Sequence, residues 1–371
     1  MKPTKVVYLF GAGATHGCLE FVGSRVGLLM QDINPPLLDK LRSHIQDVYA
    51  DHKGLQDLVF GVLDTQTDYE HVLTFLEQSP SSAHRAVAST ARQLFYSVLR
   101  NAIGEAVQQH GGRIPNDLYS ALLDLHAIDG FPEEITGLIT LNYDGFLEDA
   151  IERAGRYDIE WGVAVASGSS LRPTRTALPL VKLHGSFEWG DSFPVKRRAL
   201  GDSIEPLWIP PGVVKEKERY PFNLLWGRVR EMLDCDVLRI VGWNMGPNDW
   251  DLISLLFSTR HANDDRPAYR IELIGSPKTA ECLTKRFPYL GVKSILETDR
   301  AGEALIGEYL QRGPTRFENL GPDDQEKAVK AAGRRRNWFL EWLKRNLEWA
   351  HINLDIDSSL SGALKVLEEV A

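Results

Sequence analysis

The chain has 371 residues, 43% of them apolar and 25% charged, enough to bury a sizeable core and too long for one minimal domain. Its 42 Lys and Arg against 51 Asp and Glu leave a formal charge of −9, which argues against direct nucleic-acid binding through the surface as a whole. The three cysteines, Cys18, Cys235 and Cys282, lack any paired spacing, no 18-residue apolar run occurs, and no charged segment leads into a signal core, so a cytoplasmic protein without disulfides, zinc or a membrane span is expected.

Val6 to Phe10 reads as a first strand, followed at once by Gly11-Ala12-Gly13-Ala14-Thr15-His16-Gly17. Closely spaced glycines after a first strand let backbone approach a pyrophosphate, and the helix that follows offers N–H groups to its charge. The third glycine falls one place late for G-x-G-x-x-G, so the turn alone leaves a tight turn that binds nothing equally open. From about 35 to 128 the apolar residues recur at helical spacing: Leu37, Leu41 and Ile45, then Tyr69, Val72 and Leu76, then Ala91, Phe95 and Leu99. This stretch reads as a helical insertion that covers a sheet and walls one side of a pocket.

Leu138 to Leu141 is an apolar run fit for a strand buried on both faces, and it stops at Asn142-Tyr143-Asp144. Phe146, Leu147, Ala150 and Ile151 then give a helix that Gly155 ends. Leu178 to Leu183 repeats the pattern and ends in His184-Gly185-Ser186, after a polar loop from Ser167 to Ala177. Phe187 to Phe222, with its prolines and Lys196-Arg197-Arg198, predicts irregular structure or a lid. Val237 to Val241 ends in Gly242-Trp243-Asn244, Ile271 to Ile274 in Gly275-Ser276, and Val292 to Leu296 in Glu297-Thr298-Asp299. Six strands ending in small or polar residues, most followed by helix signals, predict an α/β, doubly wound, Rossmann-like parallel sheet, whose ligands bind at the carboxyl ends of the strands.

The remainder, 313–371, reads as a carboxyl-terminal helical segment after a main domain of 1–312. Asp323 and Glu326 resemble a capping box, Arg334-Arg335-Arg336 a solvated face, and Trp338, Phe339, Trp342 and Trp349 either a helix docked on its own domain or an oligomer surface.

Four ordered motifs carry a resemblance: Gly11-Ala12-Gly13-Ala14, Thr140-Leu141-Asn142-Tyr143-Asp144, Lys182-Leu183-His184-Gly185-Ser186, and Gly242-Trp243-Asn244 with Asp249. Over roughly residues 4 to 300 the chain resembles the sirtuin-like superfamily, more closely its bacterial NAD-hydrolase branch than the deacetylases. The paired cysteines of the deacetylase zinc module are missing between Phe187 and Asp236, and Gly242-Trp243-Asn244 replaces the usual Gly-Ser signature. The resemblance implies hydrolysis of NAD⁺, as substrate, to nicotinamide and ADP-ribose in antiphage defence. It further implies a separate trigger such as a HerA-type ATPase or an Argonaute, while the clustered aromatics of the tail lead to the expectation of a homo-oligomer. A protein deacylase and a non-catalytic NAD or ADP-ribose sensor remain as alternatives.

On that reading His184 is the general base, Asn142 holds the water or the ribose hydroxyls, and Asp144 orients the carboxamide. Gly11, Ala12, Gly13 and Thr15 surround the diphosphate. Gly242, Asn244 and Ser276 take the adenosine side.

Overall fold

Alternation along the first strand sets the architecture. In β1 (Thr4–Phe10), Val6, Tyr8 and Phe10 enter one core while Val7 and Leu9 enter a second, so the strand is buried on both faces. The computed structural model describes residues 2–24, 26, 29–61, 68–163, 176–190, 193, 206–212, 215–260, 268–295, 337–354 and 362–370. Lys196 to Arg198, most of the Ser167 loop, Glu297 to Asp299, the Asp323 capping box and Arg334 to Arg336 lie outside the described residues.

The other strands are β2 (Glu133–Thr140), β3 (Tyr157–Glu160), β4 (Thr176–Lys182), β5 (Val237–Val241), β6 (Arg270–Ile274) and β7 (Lys293–Ser294). Every pairing is parallel, in the order β3-β4-β2-β1-β5-β6-β7. With the edge strand β3 set aside, the order is that of two mononucleotide-binding halves, and it reverses between β1 and β5. This is the doubly wound sheet expected, and the reversal opens a crevice at the carboxyl edge.

α1 (Ala12–Phe21) leaves β1 directly. α2 (Met30–Val48), α3 (Lys53–Gly61), α4 (Tyr69–Gln78), α5 (Ser82–Gln109) and α6 (Asp117–Leu125) follow before β2, then α7 (Phe146–Ala154) after it. The core of Tyr8 and Phe10 takes in buried residues of α1, α6 and α7; the opposite core is covered by α8 (Phe222–Met232), α9 (Trp250–Arg260) and α10 (Pro277–Arg286). Two local differences stand out. α2 begins at Met30, so Pro35 and Pro36 lie within it, and β7 spans only Lys293–Ser294 where Val292 to Leu296 was expected.

α11 (Trp338–Asn353) and α12 (Gly362–Val370) close the chain. Phe339 packs near Phe10 and Tyr119, and Trp342 near Tyr8, so these two aromatics dock the helix on its own sheet; Trp349 remains 40% exposed. The docking covers an ion cluster no sequence pattern announces. Arg239, in the middle of β5, makes paired bonds to Glu133 at 2.6 and 2.7 Å, reaches Glu272 at 2.8 Å and the Tyr8 hydroxyl at 2.9 Å, and lies 5.0 Å from the Trp342 ring centre. A guanidinium buried in a sheet needs this full set of acceptors to offset its desolvation.

His126 bonds the Tyr8 hydroxyl at 2.8 Å beside this cluster, and burial lowers its pKa from 6.5 to about 4. The ring is therefore neutral near pH 7, and its 3.9 Å approach to Glu133 is not an ion pair there. Between those two pH values the unfolded chain holds a proton that the folded chain does not. Stability should fall as pH drops across that window, by up to about 3 kcal/mol from this group. Denaturant unfolding across the window should show a shallower pH slope in His126→Gln; an identical slope would refute the assignment.

Candidate functional site

Two glycine turns meet at the reversal point. Gly11 donates to the Val241 carbonyl and Gly13 to the Gly242 carbonyl, both at 2.9 Å. A Cβ on Gly11 would lie 2.7 Å from the Gly242 oxygen, and one on Gly242, whose φ is +65°, would lie 2.1 Å from the Ala14 nitrogen. The glycines thus let the turns after β1 and β5 touch, and this contact occupies the Gly13 N–H. In the first turn of α1 the Ala12 N–H keeps no protein partner among the described residues and can meet an anion. Gly242→Ala combines left-handed strain with a backbone clash and should cost about 2 kcal/mol or more in denaturant unfolding. An unchanged midpoint would show that the two turns separate freely.

Beside this contact, β2 ends at Thr140 and presents Asn142 and Asp144. Thr15 of α1 ties them together: its hydroxyl donates to Asp144 Oδ2 at 3.0 Å, accepts from Asn142 Nδ2 at 3.0 Å, and lies 3.1 Å from the Tyr119 hydroxyl. A carboxylate only accepts, so Thr15 spends its one proton on Asp144 and takes Tyr119 as a second donor. The Thr15 hydroxyl, expected near a diphosphate, is fully used in holding the turn. Asn142 Nδ2 also donates to the Gly11 carbonyl at 3.0 Å, which commits both amide hydrogens and leaves Oδ1 as its acceptor for a ligand. Burial pushes the Asp144 carboxyl above its usual range, with Lys182 opposing and Glu148 adding to the shift.

His184 follows β4 and is 7% exposed. Gly185 has φ +74°, and a Cβ there would lie 2.4 Å from the Leu207 carbonyl, so a side chain at this position would push residues 207–208 off the turn. Ile209 donates to the His184 carbonyl at 2.8 Å, and Tyr143 stacks on Phe187 with centroids 5.1 Å apart, walling the imidazole. Burial, reinforced by the nearby Lys215 ammonium, holds the His184 pKa well below its ordinary value, and the neighbouring Leu141 backbone only partly opposes this. The imidazole is therefore held neutral near pH 7, when it can accept a proton.

All ten residues singled out in the sequence line one cavity of about 910 Å³: Gly11, Ala12, Gly13, Thr15, Asn142, Asp144, His184, Gly242, Asn244 and Ser276. Ser276 caps α10 through its hydroxyl, which accepts from the Thr279 N–H at 3.0 Å, and Asn244 sits exposed at the rim. Glu70, Lys215 and the Trp338 end of α11, none of them assigned to the site from sequence, also line the cavity. Glu70 is pushed up by burial, with Lys215 opposing, and bonds Asn248. Lys215 lies in the proline-rich stretch read as irregular, where no periodicity marks a buried cation. No cluster of metal-ligating side chains occurs among the described residues, and no described helix is long and apolar enough to cross a membrane.

Residues 136–285 match the family model of the SIR2-like domain. No curated protein matches the chain. A solved structure from work on the mechanism and regulation of Sir2 enzymes is similar at 14% identity and a TM-score of 0.33, covering 80% of this chain and 87% of its own.

Proposed function

We propose that the SIR2-like segment and the strands around it hydrolyse NAD⁺ to nicotinamide and ADP-ribose. The convergence of Asn142, Asp144 and His184 on one cavity, beside paired glycine turns at the reversal point of a doubly wound sheet, carries this reading. Cleavage leaves the electron pair of the C1′–N bond on nicotinamide, which departs neutral, and builds positive charge on the ribose. Water then bonds to C1′ and loses a proton, which His184 accepts. Asn142 Oδ1 can accept from that water or from a ribose hydroxyl, and the buried Asp144 carboxyl can bond the departing carboxamide. The Ala12 N–H meets the diphosphate at the start of α1, beside the two glycine turns that pack on each other.

The depressed pKa of His184 keeps it unprotonated at neutral pH, though it also makes the imidazole a weaker base. Depletion of NAD⁺ in antiphage defence, with a HerA-type ATPase or an Argonaute as trigger, extends the proposal on the strength of the resemblance in the motifs alone. The test is NAD⁺ loss by the purified chain, with nicotinamide and ADP-ribose released in equal amounts whether or not an acylated peptide is added. A requirement for the peptide would favour the deacylase, and binding without turnover the sensor.

A further inference from the structure

From His184 after β4 to Gly275 after β6, the carboxyl edge crosses four strand spacings, about 19 Å. The reacting groups stand at one end of that line. Beyond them the start of α11, a segment that returns to the sheet from the other end of the sequence, packs on α1 and Phe10, and α11 also contacts β6. Asn337 caps α11 by accepting from the Leu340 N–H at 3.1 Å, and its amide donates to the Gly17 carbonyl of α1 at 2.7 Å. Gly17 fits this contact because a Cβ there would lie 3.1 Å from the Asn337 oxygen. Phe339, buried against Phe10 and Tyr119, anchors the next turn, so Trp338 between them is held at the cavity wall.

A polar site adjoins this aromatic. Both ring nitrogens of His16 are buried without a hydrogen bond, and Nε2 lies 3.3 Å from the Glu20 carboxylate outside hydrogen-bond geometry. His16 and Glu20 line the cavity beside Gly17. A flat aromatic, an unsatisfied imidazole and a carboxylate at one end suit a purine nucleoside, stacked on the ring with its ribose hydroxyls donating to the carboxylate.

We infer that the carboxyl-terminal segment completes the substrate site, with Trp338 and the His16–Glu20 pair holding the adenosine half of the dinucleotide. This rests on the NAD⁺ reading and adds to it a selection for dinucleotides over mononucleotides. The test is calorimetric titration of ADP-ribose, which binds without being consumed, into the full chain and its variants. Trp338→Ala should weaken binding on the order of 10- to 100-fold, the range for losing one base–aromatic stack. Trp338→Phe should recover most of it. Trp349→Ala, which removes a tryptophan of the same helix that packs on Phe131 away from the cavity, should bind as the parent does. Parental affinity in Trp338→Ala, or no recovery with phenylalanine, overturns the inference while parental NAD⁺ turnover leaves the hydrolase reading standing. A parent chain that neither binds ADP-ribose nor consumes NAD⁺ overturns both.

Discussion

His184→Ala is expected to slow NAD⁺ hydrolysis on the order of 10²- to 10⁴-fold, the range for removing a positioned general base. Asn142→Ala is expected to cost a comparable ~10²- to 10³-fold, through loss of the preorganised Oδ1 acceptor. Asn142 also bonds Gly11 and Thr15, so this variant should lose some stability as well. In the proposed mechanism both groups serve one transition state, so the double variant should lose much less than the product of the single effects. Affinity for ADP-ribose should survive in His184→Ala. The pH profile gives an independent check: with the His184 pKa held well below 6.5, kcat/KM should stay level as pH falls through 6.5 and decline only further down. Lys215→Met removes the nearby cation and should move that decline upward. Parental turnover in both His184→Ala and Asn142→Ala would place the chemistry elsewhere.

The parts of the site legible in the sequence are those where a local pattern breaks. A strand buried on both faces must be apolar, so polar residues directly after Leu141 and Leu183 marked Asn142 and His184 as strand-end groups, and the cavity contains both. Short, half-polar β3, Tyr-Asp-Ile-Glu, has no such contrast and went unread. What packs at long range was also hidden. The glycines after β1 were read as space for a phosphate, yet Gly11 and Gly13 are small because Gly242 lies against them. Thr15 is a tie between α1 and a turn 129 residues away, information no spacing holds. The aromatic tail was recognised as an unusual cluster, but whether it covered its own sheet or a partner depended on Tyr8, Phe10 and Arg239 offering it a surface.

Lys182 closes β4 with its side chain 1% exposed, and Glu148, on the otherwise apolar face of α7, is fully buried 2.7 Å away. The contact is ionic without hydrogen-bond geometry at either carboxylate oxygen, while the ammonium also donates to the Asp144 carbonyl. The pair therefore bolts the strand carrying His184 to the turn carrying Asn142 and Asp144. Lys182→Ala would leave a buried carboxylate facing no cation and should cost about 3–5 kcal/mol in denaturant unfolding. Replacing both partners, Lys182→Met with Glu148→Leu, removes the two charges together and should return stability to near the parent. Stability and function should then separate. The double variant lacks the cation on the Asp144 carbonyl, so the turn loses a restraint, and NAD⁺ turnover should stay on the order of tenfold below the parent although the chain is folded. Parental turnover in that folded double variant would make the pair purely structural, and Lys182→Ala as stable as the parent would mean that water reaches Glu148.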